Sequence, residues 1–214
     1  NMNWKKILLV IIGIVLIIIG LNEPMTLIFP MWIFTYLLKD KIVRLLKKLP
    51  LSISFIGLGI FFGILTEIFA IIQNLSILPE ERILLSANPL NDLIFGFVYY
   101  LFVIFTWYLL LKKIKYSGKD IFLITGIYGI LTEEIGQVLV KIFTVPVFGF
   151  LYAIIVMFVY GIFPMLAYTL NEKRFNSKKM GLIKRYSFAI ILLFIQWIIY
   201  GLFILPLLKK IFGN

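Results

Sequence analysis

The segment GILTEEIGQVL, residues 129–139, sets two adjacent carboxylates, Glu133 and Glu134, and the amide of Gln137 among glycine, threonine and apolar side chains. Its first half, GILTE, also occurs at 63–67 and supplies a third such carboxylate, Glu67. A carboxyl in apolar surroundings can act as a general acid when protonated and as a general base when ionised, and in either role it can hold a proton or a small cation in transit. Lys141 lies two helical turns beyond Glu134, with Gln137 between them, so both could steady one of the glutamates. The chain has no cysteine and no histidine. Disulfides, thiolate chemistry, the commonest metal ligand and the commonest general base are therefore all missing, and neither metal nor cofactor is expected.

The elements that must position these groups follow from composition. Apolar residues make up 62% and charged residues 14% of 214 residues, with a mean hydropathy of +1.07. A soluble domain would have more charge and less apolar surface, so the chain reads as a multi-pass protein of the cell membrane. Apolar runs bounded by charge or proline fall at 5–21, 25–38, 51–78, 91–111, 120–143, 146–170 and 186–208. The last five approach or exceed the ~20 residues that cross a bilayer; the first two are short, which gives seven helices with five as the lower count. Lys5 and Lys6 ahead of ILLVIIGIVLIIIGL look like the front of a signal peptide, but no small-residue cleavage site follows, so an uncleaved first helix is expected. The fold class is all-α: a polytopic transmembrane bundle forming one domain over 1–214.

Charge fixes the expected orientation. Of the 21 basic residues, all but Arg82, Lys141, Lys209 and Lys210 fall on segments that an inside N-terminus would place inside. That bias predicts an N-inside, C-outside chain. The net charge of +11 is thus accounted for by loops facing anionic lipid, and nucleic acid is not expected as a partner. The segment IVRLLKKL can lie along the inner interface as a basic amphipathic turn or two.

The two GILTE segments are 66 residues apart, and the same offset aligns LIF at 27–29 with LIF at 93–95. Helices two and three (25–78) then correspond to helices four and five (91–143), a parallel hairpin duplication. FGFVY at 95–99 and FGFLY at 148–152 hint at a third copy over 146–208 that would set Gln196 near the level of the glutamates. On a helix, Gly59, Gly63, Thr66, Glu67, Ala70, Gln73 and Asn74 share one small, polar face, as do Gly126, Gly129, Glu133, Gly136 and Gln137. Such faces meet other helices rather than lipid. Glu67 and Glu133 each lie about 18 Å from the outer ends of their helices, where a lone carboxylate costs at least ~2.5 kcal/mol, so protonated, hydrogen-bonded or paired carboxyls are expected.

The run from Glu133 to Ile154 resembles two families. Glu133, Glu134, Ile135 and Gly136, then Phe148, Gly149 and an aromatic at 152, are similar to the motifs of CAAX-type intramembrane proteases, but Tyr152 stands where that family has histidine. Proteolysis through a glutamate and histidine pair is therefore not implied. Glu134, Gly136, Pro146, Phe148, Gly149 and Tyr152 resemble, in order and over about 22 of 214 residues, the multi-pass carotenoid-biosynthesis family that includes hydratases of isoprenoid end groups. That resemblance implies a membrane-embedded acid acting on an isoprenoid-type alkene.

Three functions remain open. In the first, Glu133 or Glu134 protonates a lipid-soluble substrate, Glu67 or Gln137 orients water, and Tyr152 lines the pocket. In the second, Glu67 and Glu133 carry a proton or small cation. In the third, the polar faces serve assembly, with lipid, a partner helix or a second copy of the chain as partner. Glu67, Glu133 and Glu134 are the candidate catalytic residues. Gln73, Asn74, Gln137, Lys141, Tyr152 and Gln196 are candidates for binding, and Asn22 and Glu23 for the mouth. Asn88, Asn91 and Asp92 read as caps of the fourth helix, and PEER at 79–82 as a solvated turn.

Overall fold

The computed structural model describes residues 3–78, 82 and 84–212. The expected turn at 79–82 lies outside them except for Arg82. Nine α-helices run along the described residues: α1 (Trp4–Gly20), α2 (Ile28–Leu46), α3 (Leu51–Leu75), α4 (Pro89–Lys113), α5 (Gly118–Thr132), α6 (Gln137–Thr144), α7 (Pro146–Asn171), α8 (Leu182–Ile199) and α9 (Leu205–Phe212). Because α5 and α6 are the two parts of one apolar stretch, and α8 and α9 of another, they form seven helical elements. Five stretches are long and apolar enough to cross a membrane: Leu51–Leu75, Pro89–Lys113, Gly118–Thr144, Pro146–Arg174 and Leu182–Phe212. The protein is an all-α, integral, multi-pass membrane protein. Among the described residues there is no β-strand, only an isolated bridge between Ile114 and Lys178.

Short polar signals start the helices. Asn88 caps α4 by accepting from the Leu90 amide, with Pro89 at the first helical position, where its missing amide is no loss. Ser117 and Asp120 form a reciprocal capping box on α5. Pro50 precedes α3 and Pro146 opens α7. α1 has 17 residues and α2 has 19. The apolar part of α2 continues without interruption into the basic IVRLL segment.

Glycines bring the central helices together. Gly59 of α3 abuts Ile104 of α4, Gly126 of α5 abuts Met157 of α7, and Gly161 of α7 abuts Phe122 of α5. In lipid, close backbone approach of this kind replaces the hydrophobic drive that packs soluble helices. α5 lies along α7, α3 packs on both α4 and α7, and α8 leans on α4 and α5.

One end of the bundle is locked by polar contacts. Arg174 donates to the carbonyls of Leu46 and Leu49 and to Asn171 Oδ1, which also accepts from Ser54 Oγ at 2.7 Å. Arg185 pairs with Asp120 at 3.0 Å, and Tyr186 donates to the same carboxylate oxygen. The Lys115 amide donates to the Lys178 carbonyl. These bonds gather the α2–α3, α4–α5 and α7–α8 connections, which together with the adjoining helix ends hold most of the basic residues, at one end; by the positive-inside rule this is the inner end.

Two expected spans are interrupted. The run 120–143 is not one helix. It breaks after Thr132, with Glu133 extended and Glu134 (φ 46°), Ile135 (φ 57°) and Gly136 (φ 83°) all in the left-handed region, before α6 resumes. Helical face arithmetic across 129–137 therefore fails beyond Thr132. The run 186–208 widens into a π-turn at Tyr200–Ile204 between α8 and α9.

Candidate functional site

Both GILTE segments make the same set of contacts. On α3, the ring of Tyr100 from α4 lies against Gly63, and its hydroxyl donates to Glu67 Oε2 at 2.6 Å. At the end of α5, the ring of Tyr160 from α7 lies against Gly129, and its hydroxyl donates to Glu133 Oε2 at 2.5 Å. Thr66 and Thr132 each donate back to the carbonyl four residues earlier, at 2.9 Å in both cases. The physical logic is shared: glycine removes the side chain that would hold the tyrosine away, and one helical turn on, the glutamate receives its hydroxyl.

The two carboxyls open on one cavity of about 620 Å³ in the outer half of the bundle. Glu67 reaches it across Gly96, where any side chain on α4 would collide with the carboxyl. Glu133 reaches it because the chain leaves the helix there. The Asp92 carboxyl stands within hydrogen-bonding reach of Glu67, and Glu67 and Glu133 both line the open space. Tyr99, Tyr100, Tyr160, Phe163, Trp197 and Tyr200 supply aromatic lining. The Tyr99 and Tyr128 hydroxyls meet at 2.8 Å, and Tyr200 donates to the Phe95 carbonyl. Both helix interruptions border this space, since Glu134, Ile135, Tyr200 and Gly201 also line it. Strained left-handed residues and π-turns concentrate at working sites because nothing else in a helix repays their cost.

Asp92, in the first turn of α4, is fully buried. Its Oδ1 accepts from the Leu85 and Ser86 amides at 2.6 and 3.1 Å, and its carboxyl stands within hydrogen-bonding reach of Glu67. It therefore holds the turn that precedes α4, whose Leu84 and Leu85 line the cavity, while the helix cap itself is Asn88. Arg82 lines the cavity from the same connection, its Nε donating to the Ile77 carbonyl at 3.1 Å.

The ion pairs among the described residues are Lys141 with Glu134 and Arg185 with Asp120. Glu67, Asp92 and Glu133 thus have no cationic partner among those residues. Glu134 is held apart from its neighbour. Lys141 Nζ binds its Oε2 at 2.7 Å, Tyr152 donates to its Oε1 at 3.2 Å, and the Lys141 ammonium sits 4.7 Å from the Tyr152 ring centre. The expected link from Glu134 to Lys141 is present, but it spans the helix break rather than following a continuous helix.

The remaining candidates do not line this cavity. Gln137 is exposed at the start of α6. Gln73 ties the α1–α2 turn to α3, donating to Glu23 Oε2 at 3.0 Å and accepting from the Met25 amide at 3.4 Å, so Glu23 serves that junction; Asn22 is exposed beside it. Asn74 is buried and donates to the Ala70 carbonyl. Gln196 is buried on α8, and its amide has no hydrogen-bond partner among the described residues. Asp92 was expected only as a helix cap and Arg82 only as part of a solvated turn, and Tyr100 and Tyr160 were not singled out. The recurrence of FVY at 97–99 and 158–160 marks Tyr160 but pairs it with Tyr99, whose hydroxyl meets Tyr128, rather than with Tyr100.

No family model matches this chain, and no curated protein or solved structure matches it either.

Proposed function

We propose that the protein takes a lipid-soluble small molecule into the outer-half cavity and exchanges a proton with it through Glu67 and Glu133. The observation that carries this reading is the convergence of both carboxyls on one space, each held by a tyrosine hydroxyl. The volume of about 620 Å³ lies in the range of sites for small organic ligands, and the lining mixes apolar surface with a few convergent polar groups. A protonated carboxyl there can add its proton to an alkene while aromatic faces stabilise the cation formed, which suits an isoprenoid-type substrate. A purely structural role would leave no such cavity and would satisfy both carboxyls completely.

A second reading has its own support. The break at 133–136 and the π-turn at 200–204 meet at the same cavity, as expected where broken helices admit a coupled proton or cation. Purified protein, Glu67→Gln and Glu133→Gln separate the two in paired measurements: mass spectrometry of co-purified lipid and proton flux in proteoliposomes. A bound lipid or product that is lost or altered in the variants, without flux, supports the acid–base reading. Flux that the variants abolish, with unchanged lipid content, replaces it by transport. If neither measurement responds in the folded variants, the glutamates have no role of this kind.

A further inference from the structure

We infer that the cavity is built for a positively charged organic molecule: a lipophilic amine bound as its ammonium ion, whose N–H proton is the one the glutamates exchange. The inference rests on the reading of this cavity as a ligand site and names the charge of what it takes.

The argument starts from what the lining lacks. Glu67 from α3 and Glu133 from the end of α5 approach the same space, and Asp92 stands one helical turn from Gly96, over which the Glu67 carboxyl lies. None of the three has a cationic partner among the described residues. The nearby ammonium of Lys141 is already engaged by Glu134 and Tyr152, and it does not line the cavity. Arg82 also lines the cavity from the α3–α4 connection, its Nε bound to the Ile77 carbonyl, so one positive charge stands there against the carboxyls of Glu67, Glu133 and Asp92. A tyrosine hydroxyl bonds each glutamate, and Asp92 stands within hydrogen-bonding reach of Glu67, but none of these groups supplies positive charge. Burying carboxyls without a cation is unfavourable unless they are neutralised, and a bound cation is one way to do so.

The rest of the lining selects the kind of cation. A bare metal ion needs several close oxygen ligands, and no group of three or more acidic side chains close enough to hold one occurs among the described residues. Six aromatic side chains line the cavity instead, and the space is large enough for an organic molecule. Ring faces attract diffuse, weakly hydrated cations, and this attraction strengthens where water is excluded. Carboxyls at one side with aromatic rings around them therefore match an alkylated ammonium centre carried on apolar groups.

The test uses the whole protein in lipid nanodiscs with three probes of similar shape: tetraphenylphosphonium, neutral triphenylphosphine oxide and the anion tetraphenylborate, each corrected for partition into empty nanodiscs. The inference expects saturable tetraphenylphosphonium binding at least tenfold tighter than either other probe. It also expects a loss of at least tenfold in the Glu67→Gln, Glu133→Gln double variant, with the neutral probe changed by less than twofold. The discrimination by charge in the native chain tests the idea even if the double variant fails to fold. Equal binding of cation and neutral probe, or equal response of both to the variant, overturns the inference and leaves the cavity standing as a ligand site. No saturable binding of any probe to the folded protein overturns both.

Discussion

Tyr100 and Tyr160 do for the glutamates what charged partners do elsewhere: each puts one hydroxyl on one carboxyl oxygen from a ring seated on a glycine. A double-mutant cycle of Tyr100→Phe with Glu67→Gln should give a coupling of about 1 kcal/mol or more, because the two groups share one bond. The cross-pair of Tyr100→Phe with Glu133→Gln should be close to additive; equal couplings in unfolding measurements would disprove two separate tyrosine–glutamate units. Gly63→Leu and Gly129→Leu should each destabilise the protein by at least ~1 kcal/mol, read as a lowered Tm, since a side chain there would meet the tyrosine ring. The carboxylates were legible in the sequence because charge is rare in these spans. Their tyrosines were not, because 11 tyrosines and 21 phenylalanines in one chain give no single ring a mark of its own. Gln73 illustrates the opposite error: it shares a helix face with Glu67, yet it lies nearly two turns farther out and is claimed by the α1–α2 turn.

At the level of elements, the break in the fifth span was the feature the pattern concealed. EEIG between apolar helical runs reads as helix, and the single glycine in it is common in transmembrane helices. Tertiary bonds decide otherwise: Glu134 is drawn to Lys141 and Tyr152 on the far side of the break, and the chain passes through three left-handed residues to reach them. Ile135 bears the greatest cost, being β-branched at φ 57° with its side chain 85% exposed. Ile135→Gly should therefore stabilise the protein by about 1 kcal/mol, and Gly136→Ala should destabilise it by a similar amount, both measurable by denaturant or thermal unfolding in detergent. If Ile135→Gly lowers stability, the left-handed conformation at that position is not intrinsic to the fold. The span limits themselves were legible, since length and hydropathy alone separate five crossing stretches from the two shorter helices that precede them.

For the whole molecule, charge and architecture agree. The connections rich in lysine and arginine are bonded to one another at one end, and the cavity with its carboxyls lies towards the other. Because the chain has no cysteine, single replacements report topology cleanly. Lys115→Cys should react with a membrane-impermeant maleimide only from the inner side, and Lys209→Cys only from the outer side; labelling of both from one side would refute the assigned orientation. Composition alone made the membrane setting legible, whereas the cavity depends on contacts among five spans that no local pattern announces. One consequence follows from the single residue, Val145, that joins α6 to α7, and from Gly149 pressed against the Lys141 carbonyl. Those two helices are clamped into one body, so the backbone joint at 134–136 lies between that body and α5. Neighbours in the chain, Glu133 and Glu134 thus ride on different levers, and a few degrees of rotation at the joint would change how strongly one negative charge feels the other.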